Sequence, residues 1–157
     1  LSTCGVVPGI YALAEEDLPI TLTVSLHAPN DRIRNEIMPI SRKYSMEELM
    51  NACAAYHDRT KRRLSFEYSL ISGVNDSLRD ADELAELIRP LRAHVNLIPV
   101  NKVEERSYRK GSRSEINAFL ERLTERGINA TVRRELGSDI AASCGQLRKR
   151  AGGITEE

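Results

Sequence analysis

Short β-rich runs alternate with segments of helical periodicity along this sequence, and no other feature narrows the fold as far. Runs rich in β-branched and apolar residues occupy 20–26 (ITLTVSL), 62–71 (RRLSFEYSLI), 94–100 (HVNLIPV) and 129–134 (NATVRR). Between them, apolar residues recur at i, i+3, i+4 and i+7, the spacing of one helix face. The order is β, α, α, β, α, β, long loop, α, β, tail. Strands separated by helices of this length pair in parallel through right-handed crossovers, so the expected class is α/β with a parallel sheet.

The helix starts are written into the sequence. Ser45-x-x-Glu48, Ser77-x-x-Asp80 and Ser112-x-x-Glu115 each have capping-box spacing. Behind them run the stripes Met46, Leu49, Met50, Cys53; Leu84, Leu87, Ile88, Leu91; and Ile116, Phe119, Leu120, Leu123. Pro90 ends or distorts the second helix and Gly127 stops the third. A shorter helical piece spans 30–37. Near-continuous apolar stretches such as VNLIPV suit strands buried on both faces. The opening LSTCGVVPG reads as the end of a strand running into a loop, and it begins with Leu1, so the chain reads as a piece of a longer one.

Composition removes several function classes. The 157 residues hold 23 Lys+Arg and 23 Asp+Glu, which excludes a wholly basic nucleic-acid binder but leaves room for a local basic patch. No apolar run approaches the ~20 residues that span a bilayer, and no secretory signal is visible. The expectation is a cytoplasmic protein without a membrane partner. Three scattered cysteines fit a reducing compartment, and Cys4, Cys53 and Cys144 are too far apart in sequence for a metal knuckle, so no metal site is expected from this chain alone.

Ligands of parallel sheets sit at the carboxyl ends of the strands. Ser2, the Ser25-Leu26-His27 stretch, Asn96 and Asn101 fall there, with small polar groups able to hold an adenosyl or amino-acid moiety. The competing reading is that Ser25 and His27 merely cap a strand. Cys144, in SDIAASCGQLRKR, follows a Ser/Asp helix cap and precedes Arg148 and Lys149. That setting favours a thiolate; the alternative is a small residue packing a short helix. Cys53 lies on an apolar stripe and reads as core, while His57 and His94 read as ordinary. The segment 102–113 carries Lys102, Arg106, Arg109, Lys110 and Arg113 around Tyr108, and 148–150 is Arg-Lys-Arg. Positive charge interleaved with an aromatic suits RNA, although a solvated loop would look the same.

The stretches LSTCGVVPGI, VSLHAPNDRIRNEIMPISRKY, FEYSLISGVND, HVNLIPVN and VRRELGSDIAASCGQLR, in that order, resemble the RlmN family of dual-specificity RNA adenine C2-methyltransferases of the radical SAM class. The resemblance reaches to about Arg150. It implies the C-terminal half of a partial (β/α)6 radical SAM barrel, with 1–134 as barrel and 135–157 as a closing tail. It implies S-adenosyl-L-methionine (SAM) as cofactor, together with a 4Fe-4S cluster whose Cys-x-x-x-Cys-x-x-Cys ligands are absent from this sequence. By position, Cys144 matches the cysteine that becomes S-methylated and later forms a disulfide with an upstream cysteine. Ser2, Ser25, Leu26, His27 and Asn101 match SAM-contacting residues; Cys4 is assigned no role.

The implied substrates are adenines of 23S rRNA and tRNA, which gives Arg106, Tyr108, Arg109 and Lys110 an RNA-binding reading. The implied partners are the missing N-terminal half and an electron donor such as flavodoxin. Two other readings remain: a Cfr-type enzyme acting at adenine C8, and a non-catalytic SAM- or RNA-binding remnant. A half-barrel on its own is expected to expose two sheet edges and an apolar interior.

Overall fold

The computed structural model describes residues 1–16, 18–100 and 111–133. Five strands form one sheet: β1 (Ser2–Thr3), β2 (Leu22–Ser25), β3 (Leu64–Leu70), β4 (His94–Pro99) and β5 (Asn129–Val132). Every pair is parallel, and spatial order equals sequence order, β1-β2-β3-β4-β5. The connecting helices are α1 (Val7–Glu15), α2 (Asp31–Ile37), α3 (Met46–Thr60), α4 (Leu78–Ile88) and α5 (Arg113–Glu125). A doubly wound sheet reverses its strand order at one point. Here the order never reverses, which is the winding of a barrel segment.

The three Ser caps form as expected. Ser45, Ser77 and Ser112 each accept the N–H three residues on, and Glu48, Asp80 and Glu115 return the bond. Asn30 caps α2 through Ile33 N. Helix α4 stops at Ile88 and a 3-10 turn, Arg89–Leu91, carries Pro90. Gly127 takes φ +78 after α5, a left-handed position that suits a residue without a Cβ.

Two expectations fail. The loop expected at the end of LSTCGVVPG is already helix: α1 begins at Val7 and runs to Glu15. Pro8 sits in its first turn, where a missing N–H costs nothing, and no side chain caps it. The Pro-Gly pair hid a helix start. The strands, moreover, are not buried on both faces. β3 alternates buried and half-buried residues throughout, and β2 does the same. Leu22, Val24, Leu64, Phe66, Tyr68, Leu70, Val95 and Leu97 join stripes from α1, α3, α4 and α5 in one core. Both helix pairs, α1 on α3 and α4 on α5, therefore lie on the same side of the sheet. The opposite face carries no helix among the described residues. It holds Thr23, Ser25, Ser65, Glu67, Ser69, His94, Asn96 and Ile98, and so is polar rather than the apolar interior expected.

Among the described residues no helix is long and apolar enough to cross a membrane.

Candidate functional site

Strand register gathers the polar side chains into rows across the open face. Ser2, Thr23, Ser65, His94 and Asn129 are aligned, and Ser25, Glu67, Asn96 and Thr131 form the next row toward the carboxyl ends. Ser25 Oγ donates to Glu67 Oε2 at 3.2 Å. His94 Nε2 lies 3.0 Å from Thr131 Oγ1.

Beyond Ser25 the chain turns sharply. The N–H groups of Leu26 and His27 both donate to Glu67 O, at 3.0 and 3.2 Å. His27 takes φ +59, a left-handed conformation uncommon for a residue with a side chain. Asn75 holds it there. Its Nδ2 donates to His27 O and to Ser69 O, both at 2.7 Å, and its Oδ1 accepts from Ile71 N at 2.7 Å. Tyr68 Oη donates to Asn75 O at 2.8 Å. Asn75 is fully buried, so each of these bonds replaces water that cannot enter.

The His27 ring is fixed as well. Nδ1 accepts from Ser69 N at 3.0 Å, so a neutral ring carries its proton on Nε2. Burial, reinforced by the positive Arg34, lowers its pKa to about 4. At neutral pH His27 is a hydrogen-bond donor without charge.

Arg34 ties the strand ends together from within. It is 0% exposed. Its Nε donates to Leu26 O at 3.2 Å, and its Nη2 to Cys4 O at 2.8 Å and Ser25 O at 3.4 Å. Burial pulls its pKa down, and the nearby Asp31 opposes that shift. Gly5, at φ +100, leaves the space: a Cβ there would sit 2.9 Å from Nη2.

The sequence-predicted residues divide accordingly. Ser2 on β1 is in register with Thr23, one row away from Ser25, whereas Ser25 and His27 lie at the carboxyl end of β2. Leu26 joins them, but its side chain is in the core and its N–H and C=O are already engaged, so it places its neighbours. Glu67 and Asn75 went unremarked in the sequence. The alternation in LSFEYSL was the signal for Glu67, since it puts a carboxylate on the open face of the central strand. Asn101, Arg106, Tyr108, Arg109, Lys110 and Cys144 lie outside the described residues.

Cys4 is exposed and Cys53 is buried in α3, where burial pushes its thiol up to about 12. Among the described residues no three His, Cys, Asp or Glu side chains are grouped to hold a metal. A cleft of about 460 Å³ beside α4 is lined by Asn30, Arg32, Asp76, Arg79 and Glu83. Glu83 there is already paired with Asn30, at 2.6 Å, and with Arg79, at 3.0 Å.

No family model matches the chain. Curated relatives do. A probable dual-specificity RNA methyltransferase RlmN from Clostridium botulinum (strain Eklund 17B / Type B) is 54% identical over 149 residues, 95% of this chain and 43% of the relative. The protein of the same description from Clostridium tetani is 55% identical over 150 residues, again 43% of its length. The crystal structure of a radical SAM methyltransferase from Sphaerobacter thermophilus superposes with a TM-score of 0.88 at 50% identity, covering 92% of this chain and 42% of that one. A domain of a pyruvate-formate lyase-activating enzyme from Bacteroides vulgatus shares the fold alone, with a TM-score of 0.59 at 17% identity over 73% of this chain and 67% of that one. The chain spans less than half the length of the curated relatives it matches. Over about 95% of its residues the chain is homologous to a segment of proteins described as probable dual-specificity RNA methyltransferases RlmN, and its fold matches the corresponding part of a radical SAM methyltransferase.

Proposed function

We propose that this chain supplies the SAM-holding edge and the methyl-accepting segment of a radical SAM enzyme that methylates C2 of adenine in 23S rRNA and tRNA. One observation carries the reading: in a chain with RlmN relatives, the carboxyl ends of β1 and β2 are locked by Arg34 and Asn75 beside an open polar face. The donors and acceptors present there fit SAM. Ser2 and Ser25 offer hydroxyls, His27 offers Nε2–H, and Glu67 and Asn96 offer acceptors. SAM supplies an electrophilic methyl group. In this reading Asn101 completes its site and Cys144 takes the methyl group as a thiolate. Arg106, Tyr108, Arg109 and Lys110 contact RNA through charge and stacking.

A 4Fe-4S cluster does not fit the described residues. Cys4 is exposed at a strand end, Cys53 is sealed in the core, and no third ligand joins them. The proposal therefore gives the cluster to the remaining length of the RlmN sequence and an electron donor such as flavodoxin to the assembled cytoplasmic enzyme. Residues 1–134 act as barrel and 135–157 as closing tail. The same observation favours a second reading for the chain by itself, as a SAM- and RNA-binding unit without turnover.

Isothermal titration with SAM tests the binding claim. The chain should bind, and Ser25→Ala should weaken binding roughly ten-fold, the worth of one good hydrogen bond to a ligand. No heat and no retention on equilibrium dialysis at about 1 mM SAM, a concentration that would reveal even weak binding, would refute it.

A further inference from the structure

Glu67 is the one acidic side chain in the rows of the open face, and among the described residues it has no countercharge. It stands on the central strand, flanked in register by Ser25 on β2 and Asn96 on β4. Its neighbours along the same face of β3 are Ser65 and Ser69. Ser25 Oγ occupies Oε2 at 3.2 Å, and Oε1 has no hydrogen-bond partner among the described residues. Among those residues no Lys or Arg nitrogen comes within 4.0 Å of the carboxylate. His27 does not serve, because its Nδ1 accepts a hydrogen bond from Ser69 N and burial keeps the ring neutral. Arg34 does not serve either: its Nε and Nη2 donate to three backbone carbonyls, and it forms no ion pair with Glu67.

A half-buried carboxylate among small neutral groups gains most from a positive charge brought by a ligand. We propose that Glu67 binds the positive charge of the ligand in this site, and that this charge gives the site its preference for SAM over uncharged adenosyl compounds. The inference rests on the SAM-binding reading above. The charge has two sources in SAM, the sulfonium and the α-ammonium; both attract a carboxylate as cations, and the ammonium also donates hydrogen bonds.

The test is titration of the full chain and of Glu67→Gln with three ligands. SAM carries both cations, S-adenosylhomocysteine carries only the ammonium, and 5′-methylthioadenosine carries neither. Gln is isosteric and still accepts from Ser25, so the fold is retained; circular dichroism checks this, and Glu67→Asp, which keeps the charge, serves as the second variant. If the sulfonium is held, Glu67→Gln loses roughly ten-fold for SAM and less than about two-fold for the other two ligands. If the ammonium is held, SAM and S-adenosylhomocysteine fall together while 5′-methylthioadenosine does not. Both results support the proposal, and Glu67→Asp should restore most of the preference in either case. Equal losses for all three ligands, or no loss for any, would overturn it. Failure of the unsubstituted chain to bind any of the three would instead remove the underlying SAM reading, and this inference with it.

Discussion

Replacing Asn75 by Ala should unfold the chain more easily than its surface chemistry suggests. The side chain, itself fully buried, makes three hydrogen bonds, to His27 O, Ser69 O and Ile71 N, all at 2.7 Å. A hydrogen bond of this kind contributes about 1 kcal/mol net, so the three together give about 3 kcal/mol. The orphaned Ile71 N–H adds to the loss, because a buried unpaired donor costs about 1–3 kcal/mol by itself. The expected destabilisation is thus about 4–6 kcal/mol, a large share of the ~5–15 kcal/mol that holds a typical domain. For a chain of this size it corresponds to a fall in Tm of roughly 10–20 °C. Urea denaturation followed by circular dichroism measures it, with an unchanged m-value showing that only stability moved. SAM affinity should drop as well, since His27 keeps its left-handed backbone through this bond. A loss below about 1 kcal/mol would refute the reasoning, for it would mean that water or a shifted backbone satisfies the same groups.

Further outcomes follow from the same site and core. His27 has a folded pKa of about 4, below its ordinary value of 6.5, so the unfolded chain binds the extra proton first as pH falls. Stability should therefore decline between about pH 6.5 and 4 and be insensitive to this group above that window; His27→Gln should remove this component of the pH dependence, and an NMR titration showing a midpoint near 6.5 would contradict it. Cys53, with its thiol raised to about 12 by burial, should resist iodoacetamide in the native chain at pH 8 while Cys4 is alkylated; equal labelling of the two by peptide mass spectrometry would disprove the packing of α3. Gly5→Ala meets both a positive φ and Arg34 Nη2 at 2.9 Å, so it should cost about 1–2 kcal/mol in the same urea assay. A neutral result there would mean that Arg34 can leave its carbonyls without loss.

Much of the fold could be read from the chain because its signals are local. A Ser with an acidic residue three positions on makes a helix start visible, and all three such sites cap helices here. The strands themselves were legible as β-rich runs, but the alternation in LTVS and LSFEYSL, which marks one open face, contradicts the expectation of burial on both faces. Helix α1 was not legible, since Val6 gives no side-chain cap and Pro8-Gly9 imitates a turn. The uncovered face was also hidden: VNLIPV looks apolar throughout, yet its Asn96 and Ile98 lie on the open side while Val95 and Leu97 are buried. At the site, Ser25 and His27 were visible because they end a strand. The roles of Arg34, Asn75 and Glu67 were not, because each depends on partners many residues away. Arg34 reaches Cys4 across 30 positions, Asn75 reaches His27 across 48, and Ser25 reaches Glu67 across 42.

The central claim is that this chain holds SAM at the ends of β1 and β2 and presents Cys144 to it. Peptide mass spectrometry of Cys144 tests it most directly, after co-expression with the remaining length of an RlmN relative that carries the Cys-x-x-x-Cys-x-x-Cys motif. The account predicts a methyl-type mass gain on Cys144 that disappears in Cys144→Ala and falls in Ser25→Ala. An unmodified Cys144 beside a folded, SAM-exposed chain would contradict it.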